Sequence, residues 1–127
     1  ISMVAGLATI SELERGEAYI IANEAARRIS DALIDIGSRL GIDITVNRMA
    51  SMFQFYFTDK PVETTNDVAR SNEKMYLQVH AEALKRGVYL APSQFEVNFT
   101  SAAHTKDIVD ETIRILEESI KASKASQ

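Results

Sequence analysis

Gly87-Val88-Tyr89-Leu90-Ala91-Pro92-Ser93-Gln94-Phe95-Glu96, continuing as Val97-Asn98-Phe99-Thr100-Ser101-Ala102-Ala103-His104-Thr105, is the run on which the reading of the fold turns. Gly87 ends a helix, and Val88 to Ala91 is an extended apolar segment stopped by Pro92. Ser93 to Glu96 makes a polar turn with one carboxylate, and Val97 to Ala102 alternates as a second short strand, with Val97 and Phe99 on one face. Short strands set between helices indicate a mixed α+β fold. Such a connection holds either a functional side chain on a rigid scaffold or ordinary solvated polar groups, and spacing alone does not choose between them.

Immediately upstream, Met75, Tyr76, Val79, Ala83 and Leu84 form the apolar face of a helix. It ends in Lys85-Arg86-Gly87, with its basic residues at the negative end of the helix dipole. Ser71 or Asn72 can cap this helix, and Thr65-Asn66-Asp67 can cap a short turn before it. His80 lies near the apolar side and has no second His one turn on, so it reads as structural. Downstream, Thr105 is a natural N-cap, with Asp107 and Asp110 in the opening turns. Ile108, Val109, Thr112, Ile113, Leu116 and Ile120 supply the last apolar stripe, and the Ala/Ser/Lys tail beyond Lys121 is expected to fray.

Farther out, Phe53, Phe55 and Phe57 alternate with Met52, Gln54, Tyr56 and Thr58, which puts three rings on one face of a strand. No basic residues interleave with those rings, so they form a core layer rather than a base-stacking surface. Ile42 to Asn47 is a second β-rich run, interrupted over Arg48 to Ser51, and Asp59-Lys60-Pro61 is a turn. Before it, Ala22, Ala25, Ile29, Leu33, Ile36 and Leu40 define an amphipathic helix stopped by Gly41. Met3 to Leu13 carries another stripe that stops at Gly16, and Gly6 inside it implies a close packing contact. The expected domain has a short, mostly antiparallel sheet packed by helices: an opening helix over 1–16, an α+β sandwich over 17–122, and a frayed tail over 123–127.

A length of 127 residues with 46% hydrophobic side chains suits one compact core. A net charge of -4 speaks against a nucleic-acid partner, and no apolar run reaches the roughly 18 residues of a membrane span. With no Cys there are no disulfides or thiolate sites, and His80 and His104 alone do not make a zinc site, so no metal is expected. Lack of a leader pattern and of Cys fits a cytoplasmic protein. No phosphate-binding glycine loop, H-E-x-x-H or G-x-S-x-G is present. The six lysines, at 60, 74, 85, 106, 121 and 124, fall in turns, polar helix faces, helix ends or the tail. None has the desolvated setting that a Schiff-base Lys needs, so no catalytic residue is expected in this chain.

The run GVYLAPSQFE, with SAAHT after it, closely resembles the C-terminal end of the glutamate-1-semialdehyde 2,1-aminomutases, pyridoxal-phosphate enzymes of the class III aminotransferase group. Ser2-Met3 leading into Ala5-Gly6-Leu7-Ala8-Thr9, the run from Met52 to Asp59, and Arg70-Ser71 before a helix are similar to that family as well. The resemblance implies the small C-terminal domain of a fold-type-I pyridoxal-phosphate enzyme, whose parent isomerises glutamate-1-semialdehyde to 5-aminolevulinate for porphyrin and tetrapyrrole synthesis. It implies pyridoxal 5'-phosphate as cofactor, held by a Lys upstream of Ile1, and a large domain and a homodimer partner as neighbours. Ile1 is not an initiator Met, and the chain is expected to be an inactive piece of that parent. Glu96 matches a substrate-site Glu of the family, where a carboxylate orients ammonium groups by charge-assisted hydrogen bonds. Ser93 and Gln94 match the same motif and are assigned to shaping the loop; His104 matches without an assigned role. Many other class III ω-aminotransferases have an Arg in this part of the domain, so Glu96 favours the aminomutase. The C-terminal domain of another such ω-aminotransferase, and a free-standing α+β dimerisation or interaction module, stay open as alternatives.

Overall fold

A computed structural model of the chain describes residues 1–125. The elements run α1 (Ser2–Glu14), α2 (Glu17–Leu40), β1 (Thr45–Met49), β2 (Met52–Tyr56), α3 (Thr65–Arg70), α4 (Glu73–Lys85), β3 (Asn98–Phe99) and α5 (Lys106–Lys124). The strands form one antiparallel sheet in the order β1-β2-β3, giving the expected α+β class.

The periodicities explain most of this. On α2 the buried apolar side chains are Ala22, Ala25, Ala26, Ile29, Leu33 and Ile36, and the helix stops where Gly41 takes a left-handed φ of 62°. Phe53, Phe55 and Phe57 lie in the same core, where they meet Tyr76 and Val79 of α4 and Leu116 and Ile120 of α5. Phe55 stands edge-on to Phe57 at 5.7 Å and tilts against Tyr76 at 5.2 Å. The other face of β2 is covered too: Tyr56 packs with Val62 and Val68 in a small second cluster. Thr64, one residue before the expected cap, closes a capping box with Asp67 on α3, and Asn72 Oδ1 accepts from Met75 N at 3.0 Å to start α4. Thr105 holds the N-cap position of α5, but its hydroxyl makes no capping bond.

Several expected elements differ. Val88 to Ala91 is not a strand, because its backbone groups are satisfied elsewhere: Val88 N bonds Ala83 O at the end of α4, and Ala91 is held by side chains. The strand expected over Val97 to Ala102 contracts to Asn98–Phe99, and its sides are reversed from a simple apolar-in pattern. Val97 and Phe99 share a face, but that face is exposed, while Asn98 and Thr100 are buried. Strand β1 starts later than expected and continues through Arg48 and Met49 to a tight turn at Ala50-Ser51, with Ala50 at φ 53°. The tail is also firmer than expected. Helix α5 continues to Lys124, Ser123 is buried, and Lys124 Nζ donates to Leu40 O at 2.5 Å, so the 17–122 boundary falls short of the helix end. The remaining tail positions, 126–127, lie outside the described residues.

Helix α1 stands apart. None of its residues is buried, and Gly6 has no atom within 4 Å of an added Cβ, so the close contact expected there is not made by the described residues.

Candidate functional site

Between α4 and β3 the chain makes an irregular loop, and its fastening starts from a residue in the middle of β2. Gln54 is only 3% exposed, and its amide makes all four hydrogen bonds available to it. Its Nε2 donates to the Tyr76 hydroxyl and to Ser93 O, both at 3.3 Å. Its Oε1 accepts from Phe55 N at 3.1 Å and from Asn98 Nδ2 at 2.7 Å. Asn98 completes the circuit by accepting from Ala91 N at 2.8 Å, and the Tyr76 hydroxyl donates to Ala91 O at 2.7 Å. Both backbone groups of Ala91 are thus held by side chains of other elements.

Farther along, Gln94 is 2% exposed and reaches back to the junction of α3 and α4. Its Nε2 donates to Val68 O at 3.0 Å, and its Oε1 accepts from the Ser71 hydroxyl at 2.9 Å. Ser93 closes the turn: its carbonyl accepts from Glu96 N at 3.0 Å and its hydroxyl from Phe95 N at 3.2 Å. With residues 91, 93, 94 and 98 held, only Phe95, Glu96 and Val97 of this loop's far half project to the surface.

Glu96 is exposed and lines a cleft of about 550 Å³ with Tyr89, Pro92, Asn98, Phe99 and His104. It makes no ion pair or side-chain hydrogen bond among the described residues. Burial pushes the Tyr76 phenol above its ordinary pKa, and the Glu96 charge adds to that push, which puts carboxylate and hydroxyl within electrostatic reach. His104, left without a role by its sequence context, locks the next turn: Ser101 N donates to its Nδ1 at 3.0 Å, and the Ser101 hydroxyl lies 3.1 Å from the same nitrogen. His80 meets Tyr89 edge-on at 6.1 Å, away from the loop's anchors. Among the described residues no cluster of three or more His, Asp or Glu could hold a metal ion, and no helix is long and apolar enough to cross a membrane.

Spacing did not find Gln54, Tyr76 and Asn98 as a group. The available signal was a Gln in the centre of Met52-Phe53-Gln54-Phe55-Tyr56-Phe57, where a solvent-facing polar residue and a buried one look alike.

The chain is 60% identical over 124 residues to a glutamate-1-semialdehyde 2,1-aminomutase of Caldivirga maquilingensis, covering 98% of this chain and 29% of that relative. Over that length the chain is similar to a C-terminal portion of proteins of that name. It spans less than a third of the length of the aminomutases it matches. The fold of the chain recurs in solved structures. An omega-transaminase from Sphaerobacter thermophilus matches 96% of it with a TM-score of 0.77 at 16% identity, over 28% of that chain. A Pseudomonas aeruginosa glutamate-1-semialdehyde aminomutase, solved in complex with PMP, matches 83% with a TM-score of 0.72 at 18% identity, over 23% of that chain. No family model matches the chain.

Proposed function

We propose that the chain is the C-terminal part of a pyridoxal-phosphate aminomutase that isomerises glutamate-1-semialdehyde to 5-aminolevulinate, and that Glu96 is its contribution to the substrate site. The observation that carries this reading is a lone carboxylate on a loop pinned at four residues, in a chain 60% identical to such an enzyme. The reaction moves an amine between neighbouring carbons, so both amine-bearing positions have to be held. An exposed, unpaired carboxylate offers charge-assisted hydrogen bonds to ammonium groups without first giving up an internal partner. Ser93 and Gln94 shape the loop, one closing its turn and the other tying it to α3.

The cofactor supplies the electron sink for such chemistry. This chain does not fit the job of attaching it: all six lysines are exposed, and none lines the cleft beside Glu96. Attachment therefore falls to residues outside these 127, and the chain's share is to bind and orient substrate. The same reading sets α1 as the linking helix over 1–16. It places the exposed apolar side chains of α1 and of Tyr89, Phe95, Val97 and Phe99 against a larger domain or a second copy in a dimer. It also makes the parent a cytoplasmic enzyme with no nucleic-acid or membrane partner.

The test is Glu96→Gln in the intact parent. Loss of the charge at unchanged size is expected to lower kcat by about 10- to 100-fold, the scale of one charge-assisted contact, with the absorbance of bound cofactor unchanged. A variant of full activity defeats the assignment.

A further inference from the structure

The Glu96 reading leaves unexplained why a small core spends three buried polar side chains on one loop. An apolar filler at Gln54 would cover the second face of β2 equally well. Buried amides are tolerated only when every donor and acceptor is matched, and what they add over apolar packing is a single allowed geometry. The circuit here is fully matched, and every bond in it that leaves β2 ends on the Glu96 loop or on a side chain that holds it. Glu96 itself has only its backbone N–H tied, to Ser93 O, and its carboxylate has no bond of its own. Its position is therefore set by its anchors: Asn98 two residues after it, Ser93 three before, and Ala91 five before.

We propose that Gln54, Tyr76 and Asn98 are positioning residues for Glu96, forming a clamp that fixes both ends of the loop so that the carboxylate meets substrate at one place. This rests on the Glu96 reading and extends it to three residues of β2, α4 and β3 that hydrogen-bond to the loop and to one another. The clamp needs an amide at 54. Two donors serve Tyr76 and Ser93 while two lone pairs serve Phe55 and Asn98, and no other side chain of that length offers both. It equally needs the hydroxyl of Tyr76, the only group bonded to Ala91 O in the circuit.

The experiment is a double-mutant cycle in the intact parent enzyme, reading kcat and KM for glutamate-1-semialdehyde. Tyr76→Phe removes one O–H from a ring that stays packed on Phe55, and Gln54→Glu keeps both acceptors while deleting both donors. With Glu96 present, Tyr76→Phe is expected to lower kcat by about fivefold and Gln54→Glu by about 30-fold, since displacing a positioned group by about 1 Å costs up to 100-fold. In the Glu96→Gln background each is expected to cost less than about twofold, because the clamp then has nothing to position. Equal losses in both backgrounds overturn the proposal, since they mark general support of the fold. If Gln54→Glu does not fold, Tyr76→Phe decides alone. Full activity of Glu96→Gln by itself is a separate outcome: it removes the Glu96 reading, and the clamp's purpose with it.

Discussion

Glu96 and Glu117 are both carboxylates at the protein surface, yet only one is neutralised by its own chain. Glu117 on α5 accepts from both terminal guanidinium nitrogens of Arg39 at 3.0 Å and from the Lys121 ammonium at 2.6 Å. The Arg39 hydrogen bonds, with Lys121 second, hold its pKa down to about 2. A carboxylate whose folded value lies below its unfolded one stabilises the fold at neutral pH, and that contribution is lost as pH falls through the folded value. Glu117→Gln is therefore expected to lower stability at pH 7 by about 1 kcal/mol, the upper range for a partly exposed pair. The gap between variant and parent chain should shrink as pH falls from 4.5 to about 2, as read by urea titrations at several pH values. A gap that stays constant with pH defeats the assignment. Glu96 has no such partner among the described residues, which leaves its carboxylate free for the substrate contact proposed above.

At the level of elements, periodicity carried the reading wherever a face is large and uniformly apolar. Helix α2 and the three phenylalanines around β2 were legible for that reason, as were the stops at Gly16, Gly41 and Gly87, all left-handed. It failed where hydrogen bonds rather than apolar area decide. Val88 to Ala91 has the composition of a strand, but nothing in it reveals that Ala91 is claimed by Asn98 and Tyr76. Phe99 and Val97 look like inward residues until Asn98 and Thr100 are seen turned inward, Thr100 donating to Ala22 O at 2.7 Å. Of the candidate site, Ser93, Gln94 and Glu96 were visible through motif similarity, whereas the clamp joins positions 22 to 44 residues apart and leaves no local pattern. Glycines sort the same way. A Cβ at Gly37 meets Ile42 O at 2.7 Å, a backbone atom, so Gly37→Ala is expected to destabilise by about 2 kcal/mol despite Ala's better helix propensity. At Gly6 the space is open, and Gly6→Ala is expected to raise the helicity of α1 in this chain by about 0.5–1 kcal/mol of propensity. Circular dichroism and urea midpoints for the two variants check both; a neutral Gly37→Ala removes the steric argument.

For the whole molecule, the dominant surface feature is an uncovered apolar band. Met3, Val4, Leu7 and Ile10 of α1 and Tyr19 and Ile20 at the start of α2 are all more than half exposed. A patch of this kind associates in water unless something covers it. The 14.1 kDa chain on its own is expected to self-associate at high concentration, and Leu7→Glu with Ile10→Glu to return it to monomer, as followed by sedimentation velocity. A monomer at every concentration shows that the band is not sticky. Two different kinds of fastening share this small body. The helices are laced on the outside by ion pairs such as Arg39 to Glu117 and Arg86 to Glu82, which dissolved salt weakens. The loop behind Glu96 is held by amides, a phenol and peptide groups, none of them charged near neutrality. Raising ionic strength should therefore slacken the helical exterior while leaving the tether of that loop untouched, so any salt sensitivity at Glu96 belongs to whatever meets the carboxylate and not to the mount.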